Sequence, residues 1–577
     1  MSGRTISAIA TGWYSDLTCC MLLLVALSIR ACVGLAGYSG EHTPPMYGDF
    51  EAQRHWMELT INLPPSAWYV QGPDNDLQYW GLDYPPLSAH LSWLLGKLAR
   101  AFGHSALVEL HASRGHESPA TRAFMRNTVL ACDALIFMTA AAAFAHAAAK
   151  QPPSRARAIS SVGAAAPLLL APGTNTLLMQ IVLVPALVLV DHGHFQYNCV
   201  SLGLTLWAFY FAMNGQPLRC SACFSLALNF KQMTLYLAPA VFCYLLAGCL
   251  RRGSTRLLQL AHVARLGVVV LLTFGLCWLP WLLPLPSTSS SPGDARGAGA
   301  LAVLRRVFPV ERHLYEDKVA NLWCTLALLP FLKLKQLLSI AALLRLALVT
   351  TLLAVLPPCA LLLRSPSRLG FLLCAAACGL AFFLCSFQVH EKHILLPLLP
   401  LSLLAHRIPA LFGWFSAVSC FSLFPLLKRD GLILPYAVLQ LAYLSLSLAL
   451  APSKDTNTAD ADGSPAQPLP LPTYARVLMA LSVVGMLVLH AAEALIMPPS
   501  RYPDIHAVAF GAFSCAHFCL AYVAAVGTQW LAARSAASQD EHTPMDGVAP
   551  EPTPQGVRLS LVFPGDETRI ANRPKRA

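Results

Sequence analysis

Long apolar runs, separated by short polar breaks, occupy most of this chain. The first run covers residues 17–35, and further runs follow from about residue 124 to residue 533. Because a helix needs about 20 mostly apolar residues to cross a bilayer, these runs predict about 12–14 transmembrane helices. The break at 172–175 either ends a helix or kinks one, so the parity of the count stays open. The pattern predicts an all-α polytopic membrane protein.

The polar breaks divide the chain into segments. Arg30 lies within the first apolar run, and we expect it to face protein or water because a charge in lipid is costly. The predicted segments are a cytosolic N-terminus at 1–16, a retained first transmembrane helix at 17–37, a large non-cytoplasmic loop at 38–123, a polytopic membrane domain at 124–452, a polar linker at 453–473, C-terminal transmembrane helices at 474–534 and a disordered tail at 535–577.

The loop at 38–123 differs from the rest of the chain. It holds nine acidic and five basic residues and no cysteine, so it is not a disulfide-stapled domain. Its apolar stretch Leu87–Phe102 is too short for a span and carries Lys97 and Arg100. This stretch predicts an amphipathic helix at the membrane interface.

The composition excludes several classes of protein. Charged residues make up only 12% of the 577 residues, against roughly 25% in soluble proteins, and the mean hydropathy is +0.55. The net charge of +11 comes from small basic clusters between apolar runs, such as Arg251–Arg252, which is typical of cytoplasmic loops. The sequence contains no basic block interleaved with aromatic residues, so it does not predict a nucleic-acid partner. The single Cys-x-x-Cys, at 220–223, lacks the second pair that a zinc site needs.

Four polar clusters interrupt this apolar background, and ionisable groups at a membrane are candidates for function. The first runs from Tyr47 to Glu58 and continues from Asn75 to Pro86. Its alternating aromatic rings and carboxylates are suited to a carbohydrate, since rings cover sugar CH groups and carboxylates accept hydroxyl hydrogen bonds. The alternative is a solvated helix start, with Asp49 as its N-cap near Arg54.

The other three clusters lie between later apolar runs, at Asp191–Asn198, Arg305–Asn321 and Val389–His393. The second is a metal-binding fragment, a polar hinge that contacts phosphate or sugar, or a satisfied turn. The third is typical of a loop and a capped helix start. In the fourth, His390 and His393 share a helical face beside Lys392, which suits an anionic phosphate.

A metal-dependent nucleotide-sugar transferase is a further alternative, since Asp74-Asn-Asp76 matches the short DxD pattern. No Rossmann-like alternation of strands and helices surrounds these residues, so a nucleotide-sugar donor is disfavoured.

Together the clusters resemble the dolichyl-phosphate-glucose-dependent glucosyltransferases of the endoplasmic reticulum, which extend the lipid-linked oligosaccharide for protein N-glycosylation. Asn229–Met233 and Val389–Lys392 also fit this family, and the resemblance covers roughly residues 17–450. The motifs that sister members share are Asp-Phe-Glu, Leu-Asp-Tyr-Pro-Pro and Gly-His-Phe-Gln-Tyr-Asn, which stand here at 49–51, 82–86 and 193–198.

The resemblance implies a GT-C-type glycosyltransferase fold whose first lumenal loop carries an essential acid, at the position of Asp49 here. It implies transfer of glucose from dolichyl-phosphate-glucose to a terminal mannose of Man9GlcNAc2-PP-dolichol, forming an α-1,3 bond. A β-linked donor then gives an α product by inversion, which requires one base and cations around the leaving phosphate. No metal and no cofactor are expected on this account, and the role of His393 is left open.

The resemblance also implies an endoplasmic reticulum membrane location, with the site facing the lumen and the bilayer and both lipid-linked substrates as partners. The oligomeric state is not readable. Asp49 is the expected catalytic residue, although the choice between it and Glu51 rests on the resemblance. The residues expected to bind substrate are Glu51, Arg54, Trp56, Asp83, Tyr84, His192, His194, Gln196, Lys231, Arg312, His390 and Lys392.

Three alternatives stay open. Segments 51–58 and 316–324 resemble the member that adds the first glucose, whereas the sister that adds the second glucose is expected to differ at both. A transporter would predict inverted repeats and paired broken helices, which the sequence does not display. A lipid-binding scaffold would not need the acidic, aromatic loop after the first helix.

Overall fold

The computed structural model describes residues 3–150, 173–252, 255–283, 299–308, 318–328, 337–450 and 473–541. These residues are almost entirely helical, and among them the one β contact is an isolated bridge between Gly72 and Asn75. The all-α prediction is therefore confirmed. Arg312, the predicted linker apart from residue 473, and residues 542–577 of the predicted tail lie outside the described residues.

The described parts of the chain form a succession of helices. Their bounds are α1 Gly3–Val33, α2 Gly48–Asn62, α3 Pro86–Ala101, α4 Pro119–Cys132, α5 Thr139–Ala149, α6 Thr174–Val182, α7 Pro185–Val188, α8 Asn198–Met213, α9 Pro217–Phe230, α10 Ala238–Arg252, α11 Arg256–Leu282, α12 Ala300–Val307, α13 Leu322–Leu326, α14 Ile340–Arg364, α15 Arg368–Cys385, α16 Leu395–Ser402, α17 Pro409–Ser422, α18 Phe424–Arg429, α19 Ile433–Ala449, α20 Thr473–Leu495 and α21 Ile505–Glu541. π-helical turns follow α4 at Asp133–Met138 and α7 at Leu189–Phe195, and 3₁₀ turns precede α10 at Gln232–Leu237 and α16 at Glu391–Ile394.

Many of these helices have the length and composition of membrane spans. In the described part of the chain, seven helices are long and apolar enough to cross a bilayer. Thr174–Val182 and Pro185–Phe195 meet at a 51° bend and pass the same test as a pair, and four shorter apolar helices accompany them. The protein therefore spans the membrane several times, while the total of 12–14 spans stays a prediction.

The loop between α1 and α4 is a folded unit in which α2 is buried along most of its length. Helix α3 begins at Pro86, where the fixed φ of proline suits a first helical residue, and packs against α2. Its bounds are one residue off the predicted 87–102, and Lys97 and Arg100 are exposed on it as an amphipathic helix requires.

A buried ion pair ties α1 to the π-helical turn after α4. Nε of Arg30 donates to Asp133 at 2.6 Å, and both side chains are almost fully buried. Nε2 of His192 lies 2.7 Å from the same carboxylate oxygen. Arg30 thus faces protein, as the sequence predicts. Since His192 belongs to the turn Leu189–Phe195, this contact also fixes the segment that carries His194 into the site.

Candidate active site

Asp49 lies at the boundary between two cavities. The central cavity has a volume of about 720 Å³ and is lined by residues of the loop, by Gln196 directly after the π-helical turn, and by helices α14 and α15. The outer cavity has a volume of about 860 Å³ and opens toward the segment 37–48 and the end of α18. Four residues line both cavities: Asp49, Trp80, His390 and Lys392.

The backbone before α2 places Asp49 at this boundary. Tyr47 and Gly48 both have left-handed backbone angles, with φ of 59° and 74°. A Cβ atom at Gly48 would lie 2.7 Å from the backbone of Ser39, so the turn requires glycine. Oγ of Ser39 accepts a hydrogen bond of 3.1 Å from the backbone N–H of Asp49. The first turn of α2 is therefore anchored with its acid directed at the cavities.

Three side chains converge on one oxygen of Asp49. Oδ2 lies 2.8 Å from Nε2 of His194, accepts a hydrogen bond from Gln196 at 2.6 Å, and forms an ion pair with Lys392. The other oxygen, Oδ1, has no hydrogen-bond partner in the described part of the chain. One oxygen is thus fixed by the protein, whereas the other is available to a ligand.

The charges around Asp49 keep it ionised. Burial opposes its ionisation, but the positive charge of Lys392 and the hydrogen bond from His194 outweigh this and hold the pKa of Asp49 well below its usual range. Burial likewise opposes the charge of Lys392, yet Asp49 raises the pKa of that ammonium above its ordinary value. The two groups therefore form a charged pair at neutral pH.

His194 also contacts a second carboxylate that the sequence analysis did not identify. Its Nδ1 lies 2.5 Å from Oδ2 of Asp430, and both side chains are about 1% exposed. Asp430 lies in the short polar break after α18, between two apolar runs. The sequence signal that could have identified Asp430 is an acidic residue in so short a break between apolar runs, because a charge next to lipid requires a partner.

Lys231 extends the polar floor of the central cavity. Its ammonium donates to Gln196 at 2.9 Å and to Asn198 at 2.6 Å, and lies 4.7 Å from the ring centre of Tyr84. Asn198 in turn donates to Asp191 at 2.7 Å. Burial lowers the pKa of Lys231 from its ordinary value, and the charge of Lys392 acts in the same direction.

His390 and His393 lie at the 3₁₀ turn before α16 and both line the central cavity. Their ring centres are 5.4 Å apart, but His390 precedes the turn with extended backbone, so the two residues do not share a helical face. Nδ1 of His393 contacts the hydroxyl of Tyr236 at 3.0 Å. Burial lowers the pKa of His393 well below its ordinary value, so this ring is neutral at neutral pH.

The central cavity has a polar floor and an apolar wall. The polar side includes Asp83 and Tyr84, together with Trp56, whose indole donates to the backbone carbonyl of Trp80 at 2.8 Å. The apolar wall consists of side chains from α14, α15 and the neighbouring turns: Met233, Leu235, Leu344, Ala347, Leu348 and Phe382. One end of the cavity suits a charged, hydroxylated group, and the other suits a hydrocarbon chain.

Of the predicted substrate-binding residues that the structure describes, three line neither cavity. Arg54 is fully buried and pairs with Glu51 at 2.6 Å and Glu58 at 2.8 Å. It also donates to Ser113 at 2.6 Å, so Glu51 and Arg54 brace the loop from within. His192 is engaged with Asp133. The structure thus gives these three residues internal partners instead of access to a ligand.

The described residues contain one group of three side chains close enough to share a metal ion, namely Cys359, Cys374 and Cys378. Their sulfur atoms are 3.7–4.0 Å apart, which is also the spacing of sulfurs in van der Waals contact. They lie on α14 and α15, and none of them lines either of the two cavities.

Comparison with known proteins gives consistent matches over most of the chain. The model of the ALG6, ALG8 glycosyltransferase family matches residues 20–524. Dolichyl pyrophosphate Man9GlcNAc2 alpha-1,3-glucosyltransferase of Gallus gallus is 42% identical over 86% of this chain and 93% of its own length. The corresponding probable enzyme of Arabidopsis thaliana is also 42% identical, over 77% of this chain and 78% of its own. The probable enzyme of Schizosaccharomyces pombe is 37% identical over 88% of this chain and 90% of its own length. The chain therefore belongs to the ALG6, ALG8 glycosyltransferase family.

Proposed function

We propose that this protein transfers the first glucose from dolichyl-phosphate-glucose to Man9GlcNAc2-PP-dolichol and forms an α-1,3 bond with inversion at the anomeric carbon. The observation that carries this proposal is the position of Asp49, whose carboxylate separates two cavities. The names of the relatives support the acceptor, since each relative described above is named for Man9GlcNAc2 and an alpha-1,3 linkage.

Asp49 is the base in this mechanism. The acceptor hydroxyl attacks the anomeric carbon of glucose, its proton passes to Oδ1 of Asp49, and the bond from that carbon to the phosphate oxygen breaks. The electron pair leaves with dolichyl phosphate. Because this leaving group is already a stable anion, no second carboxylic acid is needed. A low pKa makes Asp49 a weak base in the free protein, and binding of an anion beside Lys392 would draw that ammonium away from it.

The central cavity is the donor site in this proposal. Lys392, Lys231 and His390 surround its polar end, where Lys392 supplies positive charge and all three supply hydrogen-bond donors to a phosphate. The apolar wall from α14 and α15 accommodates the first isoprene units of the dolichyl chain. An uncharged wall beside a cationic floor suits a lipid phosphate better than a soluble nucleotide-sugar.

The outer cavity is the acceptor site. It contains the carboxylates of Glu41 and Glu391 together with the rings of Tyr47 and Trp80. Carboxylates and aromatic rings are the groups that bind sugar hydroxyls and sugar CH faces. With lipid-linked substrates of this kind, the protein acts in the endoplasmic reticulum membrane with both cavities on the lumenal side.

Reconstitution with synthetic substrates tests the proposal. The purified protein is expected to convert a Man9GlcNAc2 lipid to its monoglucosylated form with dolichyl-phosphate-glucose, and to leave a Glc1Man9GlcNAc2 lipid unchanged. Asp49→Asn is expected to lower kcat by about 10³-fold or more, because the base is removed while its shape is retained. The matched control is Asp74→Asn, whose carboxylate is half exposed in the same loop. Full turnover by Asp49→Asn would exclude Asp49 as the base, and glucosylation of the second lipid would favour the sister transferase.

A further inference from the structure

A third cavity lies at the far ends of the helices that build the active site. Helices α8, α9 and α15 each have one end near the central cavity and the other at this third cavity, which has a volume of about 950 Å³. At 1.5 Å per residue, helices of this length separate their ends by about 21–27 Å. The third cavity therefore lies at the opposite edge of the membrane domain from Asp49.

Basic side chains dominate the lining of this cavity, which we call the basic cavity. Among the described residues no carboxylate lines it, and its basic residues are Arg219, Arg251, Arg252, Arg265, Arg368 and His262. All five arginines are exposed, and among the described residues none of them forms an ion pair. Their polar contacts there are to neutral groups, from Arg251 to the carbonyl of Arg364 and from Arg219 to the side chain of Gln216.

The arginines come from separate parts of the chain. Arg219 is at the start of α9, Arg252 at the end of α10, Arg265 within α11 and Arg368 at the start of α15. The tendency of basic residues to lie on one side of a membrane places them on that side, but it does not bring them into contact with one another. Their convergence on one concave surface brings like charges together at an electrostatic cost, which a bound anion removes.

Apolar surface adjoins the basic cavity on the membrane side. Leu218, Leu245 and Leu266 line the cavity itself. Helices α10 and α11 continue away from it with exposed apolar side chains, including Phe242, which is 65% exposed, and Leu271, which is 73% exposed. An arginine-lined cavity that opens onto lipid-facing apolar helices combines the two recognition elements of an anionic lipid.

We propose that the basic cavity binds the phosphorylated head group of an anionic phospholipid, with its phosphates held by the arginines and its acyl chains against α10 and α11. Arginine suits this role because its planar fork donates two hydrogen bonds to one phosphate. The site lies apart from Asp49 and from both cavities of the proposed reaction, so it does not depend on that function.

Binding to the purified full-length protein in neutral detergent tests the proposal. The probes are short-chain phosphatidylinositol bisphosphate, phosphatidylcholine with the same chains, and soluble inositol trisphosphate. The variant carries Arg252→Gln with Arg265→Gln. A control with the same loss of charge carries Arg256→Gln with Arg534→Gln, both exposed and both outside the cavity. A third variant, Arg252→Lys with Arg265→Lys, keeps the charge.

The unmodified protein is expected to bind the bisphosphate lipid in a saturable, salt-sensitive manner, and the glutamine pair in the cavity should weaken this binding about tenfold or more. The control pair should change it less than about twofold. The lysine pair should bind more tightly than the glutamine pair but more weakly than the unmodified protein, because lysine keeps the charge and lacks the planar fork. Unchanged binding by the cavity variant, or equal binding of phosphatidylcholine, would overturn the proposal. If inositol trisphosphate binds as tightly as the lipid, the acyl chains contribute nothing and the lipid assignment fails.

Discussion

Asp430 and His194 form a hydrogen bond of 2.5 Å across 236 positions of the sequence. The bond joins Nδ1 of the His194 ring to Oδ2 of the Asp430 carboxylate. The ring is thereby held with Nε2 at 2.8 Å from Asp49. The order Asp430, His194, Asp49 places one buried acid behind the residue that fixes the proposed base, which makes Asp430 a positioning residue.

Asp430→Asn is expected to lower kcat by about 10- to 100-fold with little change in the KM for either substrate, as for other residues that orient a functional group through a partner. The amide oxygen still accepts from His194, so the geometry survives while the charge is lost. The kcat–pH profile should shift along with kcat, because the electrostatics of His194 and Asp49 change together. A loss confined to protein yield, with an unchanged profile, would assign Asp430 to folding alone.

Much of this architecture is predictable from sequence because long apolar runs have few alternatives to helices in lipid. The polar clusters are informative for the same reason, since each charge requires a partner. His194 and Gln196 of the second cluster and Lys392 of the fourth meet at one oxygen of Asp49 in the first. The third contributes Arg306, which donates to the carbonyl of Gly81 at 2.9 Å.

The motifs alone could not show which polar residues of a helix face a ligand and which face the protein interior. Along α2, Asp49, Gln53 and Trp56 line the central cavity, whereas Arg54 and Glu58 face the interior of the loop. These two sets follow helical spacings of three and four residues. Reading α2 as a helix with two polar faces would have placed Arg54 away from the substrate. Asp430 was missed because the sequence analysis considered clusters of polar residues and not a single acid in a short break between apolar runs.

The ion pair between Lys392 and Asp49 predicts a change in pH dependence. In the intact site the pKa of Asp49 is depressed well below 3.8, so the base stays ionised above about pH 4. Protonation of Asp49 should therefore not reduce turnover in that pH range. In Lys392→Met the burial of Asp49 remains but the main positive charge is gone, so its pKa rises. The acid limb of the kcat/KM profile is therefore expected at higher pH in the variant, and kcat/KM against pH between 4 and 8 measures it.

The control for this prediction is Lys97→Met, an exposed lysine of α3 that lines neither cavity. Its profile should coincide with that of the unmodified protein. If Lys392→Met moves the acid limb to lower pH, or leaves it in place with full activity, then Lys392 does not set the ionisation of Asp49.

His390 lines both cavities beside Lys392, so its substitution should act on substrate binding. His390→Leu is expected to raise the KM for dolichyl-phosphate-glucose by about tenfold, because one hydrogen-bond donor near the phosphate is lost. The KM for the acceptor should change much less. Initial rates at varied donor and fixed acceptor, and then the reverse, measure both values. A rise only in the acceptor KM would move His390 to the other substrate.

Substitution of Arg54 is expected to lower the stability of the protein and to leave substrate binding unchanged. Arg54→Met leaves Glu51 and Glu58 without their buried cation, and breaking such a pair costs about 3–5 kcal/mol. The melting temperature in detergent should fall clearly, whereas Arg100→Met, at an exposed arginine of α3, should leave it nearly unchanged. The folded fraction of Arg54→Met should keep its KM values, because Arg54 lines neither cavity. Raised KM values at normal stability would instead support substrate binding by Arg54.

The same cluster gives the loop an acid-sensitive contribution to stability. Burial opposes the ionisation of Glu58, but His55 and Arg54 outweigh it and lower its pKa from 4.5 to about 2. A carboxylate whose pKa is lower in the folded state stabilises that state fully above pH 4.5, and this contribution is lost as the pH falls from 4.5 toward 2. Glu58→Gln should therefore be less stable at pH 7 and lose less stability than the unmodified protein over this range. Melting temperatures at pH 7 and at steps between pH 4.5 and 3 measure both effects, and equal losses in the two proteins would show that Glu58 is not the titrating group.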